Sequence, residues 1–260
     1  MSVTAALEPR RISATSIVLV TTAALAWVVT IAWVRVEDMG AMPGTMGMSL
    51  ASFTMMWGLM MAAMMLPSIA PFIRTYQGTV VEHRAGRLTA LAGGYLLVWT
   101  AVGVVAFFVA DWFGALAAER AGAAQAVADG TFFVVGVFQL TPLKFRCLSH
   151  CRSPIGHLMH YLGFTGTTRD LRAGVSHGWF CLGCCWALML LMIAFGVMNL
   201  GAMVGLAAVI AIEKVWRHGE SFARVFGVAC LVVAVVLVFE PGLAPGLDPD
   251  SIMRMDDMGM

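Results

Sequence analysis

Seven long apolar stretches constrain the fold of this chain more than any other feature. They cover residues 16–34, 50–73, 88–110, 123–141, 174–198, 200–215 and 222–240. A helix needs about 20 apolar residues to cross the hydrocarbon core of a bilayer, and it satisfies its own backbone polar groups there. The stretches therefore predict an all-α fold, a polytopic transmembrane helical bundle of about seven spans. The sixth stretch is short for a full crossing.

The composition supports a membrane protein and argues against nucleic acid as a partner. The chain has 260 residues, of which 60% are hydrophobic and 12% are charged, and its net charge is +1. Soluble domains carry about 25% charged residues. A nucleic-acid-binding protein also needs a basic surface for phosphates, and this charge balance leaves none. The first partner that the sequence predicts is the lipid bilayer.

The basic residues orient the predicted bundle. With the N-terminus in the cytoplasm and the C-terminus outside, all but three of the sixteen Lys and Arg residues lie in cytoplasmic segments. The three on the outside are Arg35, Arg120 and Arg254. This asymmetry follows the positive-inside rule. Merging the fifth and sixth stretches into one span would place further basic residues on the wrong side.

The predicted topology divides the chain into a cytoplasmic tail at 1–15, a single transmembrane domain at 16–240 and an extracytoplasmic tail at 241–260. Two of the predicted outside segments, the first loop and the C-terminal tail, are rich in methionine. Their methionines are Met39, Met42, Met46 and Met48 in the first segment and Met253, Met255, Met258 and Met260 in the tail. Thioether is a soft ligand that selects Cu(I), although methionine also serves as an adaptable apolar filler. The pattern therefore has two interpretations, metal capture and packing.

The second apolar stretch contains a further methionine row. Met56, Met60 and Met64 recur at i, i+4 and i+8, which places them on one helix face. Such a row could pass a soft cation inward, but a methionine stripe at helical spacing more often packs in a core. We interpret it as core packing.

Two clusters of cysteine and histidine are the main functional signal. Each has the spacing i, i+3, i+4, which places three side chains on one helix face. The clusters are Cys147, His150 and Cys151 in CLSHCRSP, and Cys181, Cys184 and Cys185 in the fifth apolar stretch. His177, one turn before the second cluster, is a further candidate. Only Cys230 lies elsewhere.

Three roles are open to these thiols. Thiolates bind Zn(II), Cu(I) and iron–sulfur clusters, neutral thiols pack as small hydrophobic groups, and neighbouring thiols exchange with disulfides. The clustering of five of the six cysteines favours a transition metal, with copper as the favoured ion and zinc or iron as alternatives. One arrangement takes four sulfurs from Cys147, Cys151, Cys181 and Cys185, with Cys184 and His150 as alternates.

The depths of the two clusters differ, which constrains the connection between them. Cys147 follows the end of the fourth stretch, whereas Cys181 lies two to three helical turns inside the fifth, on the order of 10–16 Å at 1.5 Å per residue. Pro142 interrupts helical hydrogen bonding between them. Either the fourth span continues past its apolar stretch, or the segment after Pro142 is a new helical turn that folds back into the membrane.

Polar residues near the ends of the apolar stretches have simpler interpretations. Glu213 and Lys214 end the sixth stretch and are expected to pair with each other or to reach the interface. Gln139 is expected to donate a hydrogen bond between helices.

The motifs resemble an uncharacterised bacterial family of predicted metal-binding integral membrane proteins, known only as a domain of unknown function. The resemblance covers roughly residues 50–240, and its segments are MMWGLMMAAMMLPSIAP, GYLLVWTAVGV, QLTPLKFRCLSHCRSP, GVSHGWFCLGCCWALMLLMIAFGVMNL and the EK pair at 213–214. It implies a multi-span protein of the bacterial cytoplasmic membrane. It also implies that the cysteine and histidine positions are metal ligands. It supplies no reaction.

Binding or transfer of a soft metal is the predicted function, and catalysis by this chain alone is not favoured. Neither the phosphate-binding motif GxxxxGK[ST] nor the zinc motif HExxH is present. A soluble or membrane metalloprotein is the expected protein partner. One alternative is a membrane subunit or assembly factor of a metal-dependent oxidoreductase. The other is a thiol–disulfide electron carrier that uses Cys184 or Cys185 with Cys147 or Cys151.

Overall fold

Eight α-helices make up the part of the chain that this computed structural model describes, which is residues 14–36, 44–80, 83–152, 161 and 163–239. The helices are α1 (Ala14–Val36), α2 (Leu50–Gln77), α3 (Arg84–Glu119), α4 (Ala121–Leu140), α5 (Pro142–Arg152), α6 (Arg169–Ala194), α7 (Leu200–Val215) and α8 (Gly219–Phe239). These ranges contain no strand. The all-α fold predicted from the sequence is confirmed.

Six of these helices are long and apolar enough to cross a membrane, namely all except α5 and α7. The chain is thus a multi-pass membrane protein by the length and composition of its helices. About seven spans were predicted, and the difference from six lies at the sixth stretch, which is short for a full crossing as the sequence indicated. There α7 has 16 residues, fewer than the roughly 20 that the hydrocarbon core requires. The cytoplasmic N-terminus and extracytoplasmic C-terminus stay predictions.

A tight turn folds α7 back along α6. Asn199 caps α7, since its Oδ1 accepts a hydrogen bond of 3.0 Å from the backbone N–H of Ala202. Lys214, near the end of α7, contacts Cys181 in the middle of α6, so the two helices are antiparallel. The first part of α6, about three turns at 3.6 residues per turn, therefore extends beyond the end of α7.

A new helix, α5, packs against α6 and the end of α7. It begins at Pro142, a residue whose fixed φ suits the first helical position. The preceding Thr141 is extended, at φ −76° and ψ 148°, as expected before proline. Its Oγ1 accepts a hydrogen bond from the backbone N–H of Lys144 at 3.3 Å. The alternative of a new helical turn after Pro142 is confirmed, and α4 does not continue to the cysteines.

Glycines allow α3 and α6 to lie almost backbone to backbone. A Cβ at Gly94 would lie 2.3 Å from the carbonyl oxygen of Leu171, and one at Gly174 would lie 2.0 Å from that of Leu91. Small residues are the usual means of such close approach between membrane helices. This contact fixes α6, and with it the second cysteine cluster, against the longest helix of the bundle.

A buried ion cluster joins α2, α3 and α6 at the end where α6 begins. The Arg87 guanidinium donates to both carboxylate oxygens of Asp170 at 3.0–3.2 Å. The Tyr76 hydroxyl lies 2.7 Å from the same carboxylate. Asp170 is 5% exposed, so its charge is stabilised by these partners rather than by solvent.

Adjacent glycines in α3 provide a test of the close packing. We expect Gly94→Ala to lower the free energy of unfolding by about 1–3 kcal/mol, because the added methyl overpacks a backbone contact. Gly93→Ala is the matched control, since no atom lies within 4 Å of its added Cβ and alanine favours the helix. Thermal unfolding in detergent measures both. Equal melting temperatures would contradict the packing.

Candidate metal centre

The middle of α6 presents three buried thiols. Cys181, Cys184 and Cys185 are 1%, 0% and 0% exposed. The Cys184 thiol donates to the carbonyl oxygen of Cys181 at 3.1 Å, and its Sγ lies 3.3 Å from that of Cys185. The helical spacing of the sequence is enough to gather these three sulfurs.

α5 adds a buried thiol from a separate part of the chain. The Sγ of Cys151 lies 3.8 Å from that of Cys184. The Sγ atoms of Cys151, Cys181 and Cys184 all lie within 4.8 Å of one another, and we call these three residues the thiol group. Sulfurs that share a cation at about 2.3 Å lie about 4 Å apart. The distances between the sulfurs of the thiol group are therefore close to those expected around a single bound cation.

The other two predicted cysteines lie at the margin of the thiol group. Cys185 is in contact with Cys184 through their sulfurs. Cys147 lies one turn before Cys151 on α5, where its Sγ approaches the α6 backbone at Gly183. It is partly exposed, whereas the other five cysteines are buried.

The two candidate histidines in the described part of the chain are outside the thiol group. The His150 ring stacks on Phe180, with centroids 4.0 Å apart. The His177 ring stacks on Phe72 with centroids 4.2 Å apart, and its Nδ1 lies 3.4 Å from the Tyr161 hydroxyl. Aromatic contacts thus orient both imidazoles. The three donors that meet are all sulfur.

A buried ammonium group faces the thiol group. Lys214 is 7% exposed, and its Nζ donates to the Sγ of Cys181 at 2.9 Å and to the Ser68 hydroxyl at 3.2 Å. The Tyr95 hydroxyl lies 3.0 Å from the same sulfur. In the described ranges no carboxylate pairs with Lys214. A buried cation needs an anionic or strongly polar neighbour, and the Cys181 sulfur occupies that place.

A second buried lysine joins α5 to α6 and α7. The Nζ of Lys144 donates to the carbonyl oxygen of Cys184 at 2.6 Å and to Glu213 at 2.7 Å. Gln139 donates to the other Glu213 oxygen at 2.6 Å, which confirms its predicted interhelical hydrogen bond. The expectation that Glu213 and Lys214 pair with each other or reach the interface is wrong. Both are buried and have other partners, because α5 supplies the lysine for Glu213.

The methionine row of α2 leads to the same region. Met56, Met60 and Met64 are 1%, 0% and 3% exposed, so all three lie in the core. Ser68 is the next position in this i, i+4 row, and it is the hydroxyl that accepts from Lys214. The row therefore combines core packing with a position beside the thiol group.

A known family matches most of the chain. It is PpoB2, described as a copper chaperone, and the match covers residues 54–237, which is more than two thirds of the 260 residues. The chain belongs to this copper chaperone family. The match includes α5, α6 and α7, and therefore every sulfur of the thiol group. No curated protein and no solved structure matches the chain.

The donors of the thiol group suit copper as the cargo of a chaperone. Thiolate is a soft ligand that selects Cu(I), zinc and iron–sulfur clusters over hard cations. Structural zinc sites almost always use four ligands, whereas three sulfurs lie within 4.8 Å of one another in the described part of this chain. The nearby Lys214 ammonium offsets part of the negative charge that thiolates bring into the core. The residues present therefore fit a copper ion.

The sequence pattern identified the thiols of the site but not the cations beside them. Lys144 counts in the sequence as one more basic residue of a cytoplasmic segment. Tyr95 stands in an apolar stretch and follows no pattern, while Ser68 continues the methionine row of the second stretch but carries no sign of a charged partner. One available signal was Glu213, because a carboxylate inside an apolar stretch requires a partner. Lys144 and Arg146 both precede Cys147 by at most three residues, and nothing in the sequence shows which of them pairs with Glu213.

The buried ion pair beside the thiol group can be tested by removing one charge and then both. Glu213→Gln leaves the Lys144 ammonium buried without an anion, so we expect the free energy of unfolding to fall by about 3–5 kcal/mol. Combining Glu213→Gln with Lys144→Met removes the unpaired charge and should recover part of that loss. Chemical or thermal unfolding in detergent distinguishes the two variants. A double variant less stable than the single one would contradict the pairing.

Proposed function

We propose that this chain binds Cu(I) at Cys151, Cys181 and Cys184 and transfers it to a soluble or membrane metalloprotein. The observation that carries the proposal is the convergence of three buried thiols from two helices, all within 4.8 Å of one another. The copper chaperone family supports the choice of ion. Cys185, whose Sγ contacts that of Cys184, and Cys147 and His150 on α5 lie outside these three proposed ligands.

Burial of the site suits a carrier of Cu(I). An ion surrounded by buried thiols is shielded from water and from competing ligands, while soft sulfur donors favour Cu(I) over harder cations. The helices that hold the site include spans long and apolar enough for a membrane. We infer that the protein works in the cytoplasmic membrane of a bacterium, in agreement with the family that its motifs resemble.

We further propose that the methionine-rich segments on the predicted outside collect copper for this site. Met39, Met42 and the tail at 241–260 lie outside the described residues. Met46 and Met48 are described, and both are partly buried against the core, as the packing interpretation predicts for those two. The capture role therefore depends mainly on the tail.

Replacing the cysteines one at a time tests the proposed site. We expect Cys151→Ser, Cys181→Ser and Cys184→Ser each to reduce copper bound to the purified protein at least tenfold at limiting Cu(I), because each change removes one soft donor. Cys230→Ser is the matched control, since that buried thiol lies on α8 outside the thiol group. Elemental analysis after removal of free metal gives the copper content.

The same variants separate the alternatives. Zinc or iron in stoichiometric amount would replace copper as the cargo. A reversible disulfide between Cys151 and Cys184, detected by thiol trapping in a protein without bound metal, would instead support an electron carrier. Copper content equal to that of the unaltered protein in all three variants would remove the site.

Deleting residues 250–260 tests the methionine-rich tail. We expect slower copper acquisition at limiting Cu(I), because four thioethers are removed from the predicted outside, while the copper bound at saturation stays the same. Rates of copper uptake by protein in vesicles measure the effect. A variant in which those methionines are changed to leucine distinguishes thioether loss from shortening. Unchanged uptake in both variants would contradict the capture role.

A further inference from the structure

We propose that Cys147 is the transfer thiol of this chaperone, the sulfur through which Cu(I) passes between the thiol group and an external ligand. The inference rests on the proposed function, since it assumes that the thiol group holds copper. It assigns Cys147 a kinetic role that differs from the holding role of Cys151, Cys181 and Cys184.

Exposure distinguishes Cys147 from every other cysteine. It is partly exposed, while the remaining five are buried, and the three members of the thiol group are between 0% and 7% exposed. An external ligand cannot contact a buried sulfur without local unfolding. Release of a soft ion by ligand exchange therefore requires a sulfur that reaches both the buried group and the surface.

The position of Cys147 on α5 provides that reach. It lies four residues before Cys151, and side chains at i and i+4 of a helix have Cβ atoms about 5–6 Å apart. A shift of a few ångströms thus moves a bound ion from one sulfur to the other. Both thiols are on a single short helix, so no rearrangement of the bundle is needed.

Gly183 provides the space for the Cys147 sulfur beside α6. A Cβ at Gly183 would lie 2.8 Å from the Sγ of Cys147, closer than two such atoms can approach. The absence of a side chain there lets the sulfur rest against the α6 backbone, next to Cys184 in the chain. Cys147 is thereby held against α6 one residue before Cys184, one helical turn from Cys151 on α5, while it stays partly exposed.

Polar and apolar side chains of α5 are both exposed near Cys147. Its chain neighbour Arg146 is exposed, and Leu143, one turn earlier on the helix, is 57% exposed. α5 itself has 11 residues, too few to span a membrane. The exposed Arg146 guanidinium offers an anionic ligand, such as the thiolate of a metalloprotein, a point of approach beside Cys147.

The transfer step is a ligand exchange with no change in oxidation state. The Cys147 sulfur forms a bond to Cu(I) as the bond between Cu(I) and the Cys151 sulfur breaks, and the proton of the Cys147 thiol passes to Cys151. The external ligand then displaces Cys147 in the same way, and Cys147 regains a proton. Copper stays Cu(I) throughout.

Copper release from the full-length protein in detergent tests the inference. The protein is loaded with Cu(I), bound copper is measured, and a hydrophilic Cu(I) chelator is added to follow the rate of loss. We expect Cys147→Ser to retain its copper at equilibrium but to release it at least tenfold more slowly. Cys230→Ser should match the unaltered protein in both measurements.

Gly183→Ala is a second variant that keeps every thiol. The added methyl displaces only the end of the Cys147 side chain, so we expect slower release with unchanged copper content and an unchanged melting temperature. A hydrophilic maleimide should modify Cys147 before any other cysteine, and this modification should slow release in the unaltered protein to the same degree.

The outcomes separate this inference from the proposed function. Release from Cys147→Ser at the rate of the unaltered protein overturns the transfer role and leaves the copper site intact. Loss of bound copper from Cys147→Ser also overturns it, because Cys147 would then be a holding ligand. Failure of the unaltered protein to bind copper overturns the proposed function itself.

Discussion

The buried ion pair between Lys144 and Glu213 is the contact on which the arrangement of the thiols depends. The Lys144 ammonium also donates to the carbonyl oxygen of Cys184, so one side chain of α5 binds both α6 and α7 at the level of the thiol group. Replacing such a pair with apolar residues is often neutral or stabilising. We therefore infer that the pair matters here because it positions α5, rather than because it adds to the stability of the protein. It fixes α5 so that Cys151 faces Cys184.

The short length of α7 explains why there is room for α5. α7 ends near the level of Cys181, while α2, α3 and α6 continue beyond it, and α5 occupies the volume that a full span would fill. Arg152, at the end of α5, donates to the carbonyl oxygens of Glu213 and Arg217 where α7 ends. Irregular backbone within a membrane protein is tolerated where it is buried in protein. The short α7 and the helix α5 beside its end thus together bury the thiol group.

The sequence predicted the helices and most of the sulfurs for reasons that act locally. Apolar stretches determine spanning helices, and the spacing of Cys181, Cys184 and Cys185 determines their shared face. Pro142 and the depth difference between the clusters left two alternatives, a longer fourth span or a new helical turn after Pro142, and the structure has the second. These inferences needed only helical geometry and the length of the hydrocarbon core.

The partners of the charged residues could not be predicted in the same way. Glu213 and Lys214 are adjacent in sequence, which suggested a local pair, but consecutive residues on a helix point about 100° apart. Their side chains consequently contact different helices, Glu213 toward α5 and Lys214 toward α6 and α2. Only the packing of the helices shows that Glu213 pairs with Lys144 and that Lys214 contacts Cys181 instead. The same holds for Tyr95, whose hydroxyl meets Cys181 across the contact between α3 and α6.

The two lysines have different consequences for a site that must both hold and release an ion. The charge of Lys144 is balanced by Glu213, and this lysine fixes the position of α5 against α6 and α7. Lys214 has no carboxylate partner in the described ranges, and its ammonium donates directly to a sulfur of the thiol group. A hydrogen bond to sulfur withdraws electron density from it and weakens its bond to a cation. In the proposed function, three soft donors would retain Cu(I) while the ammonium limits how tightly one of them binds, and this balance suits transfer better than permanent storage.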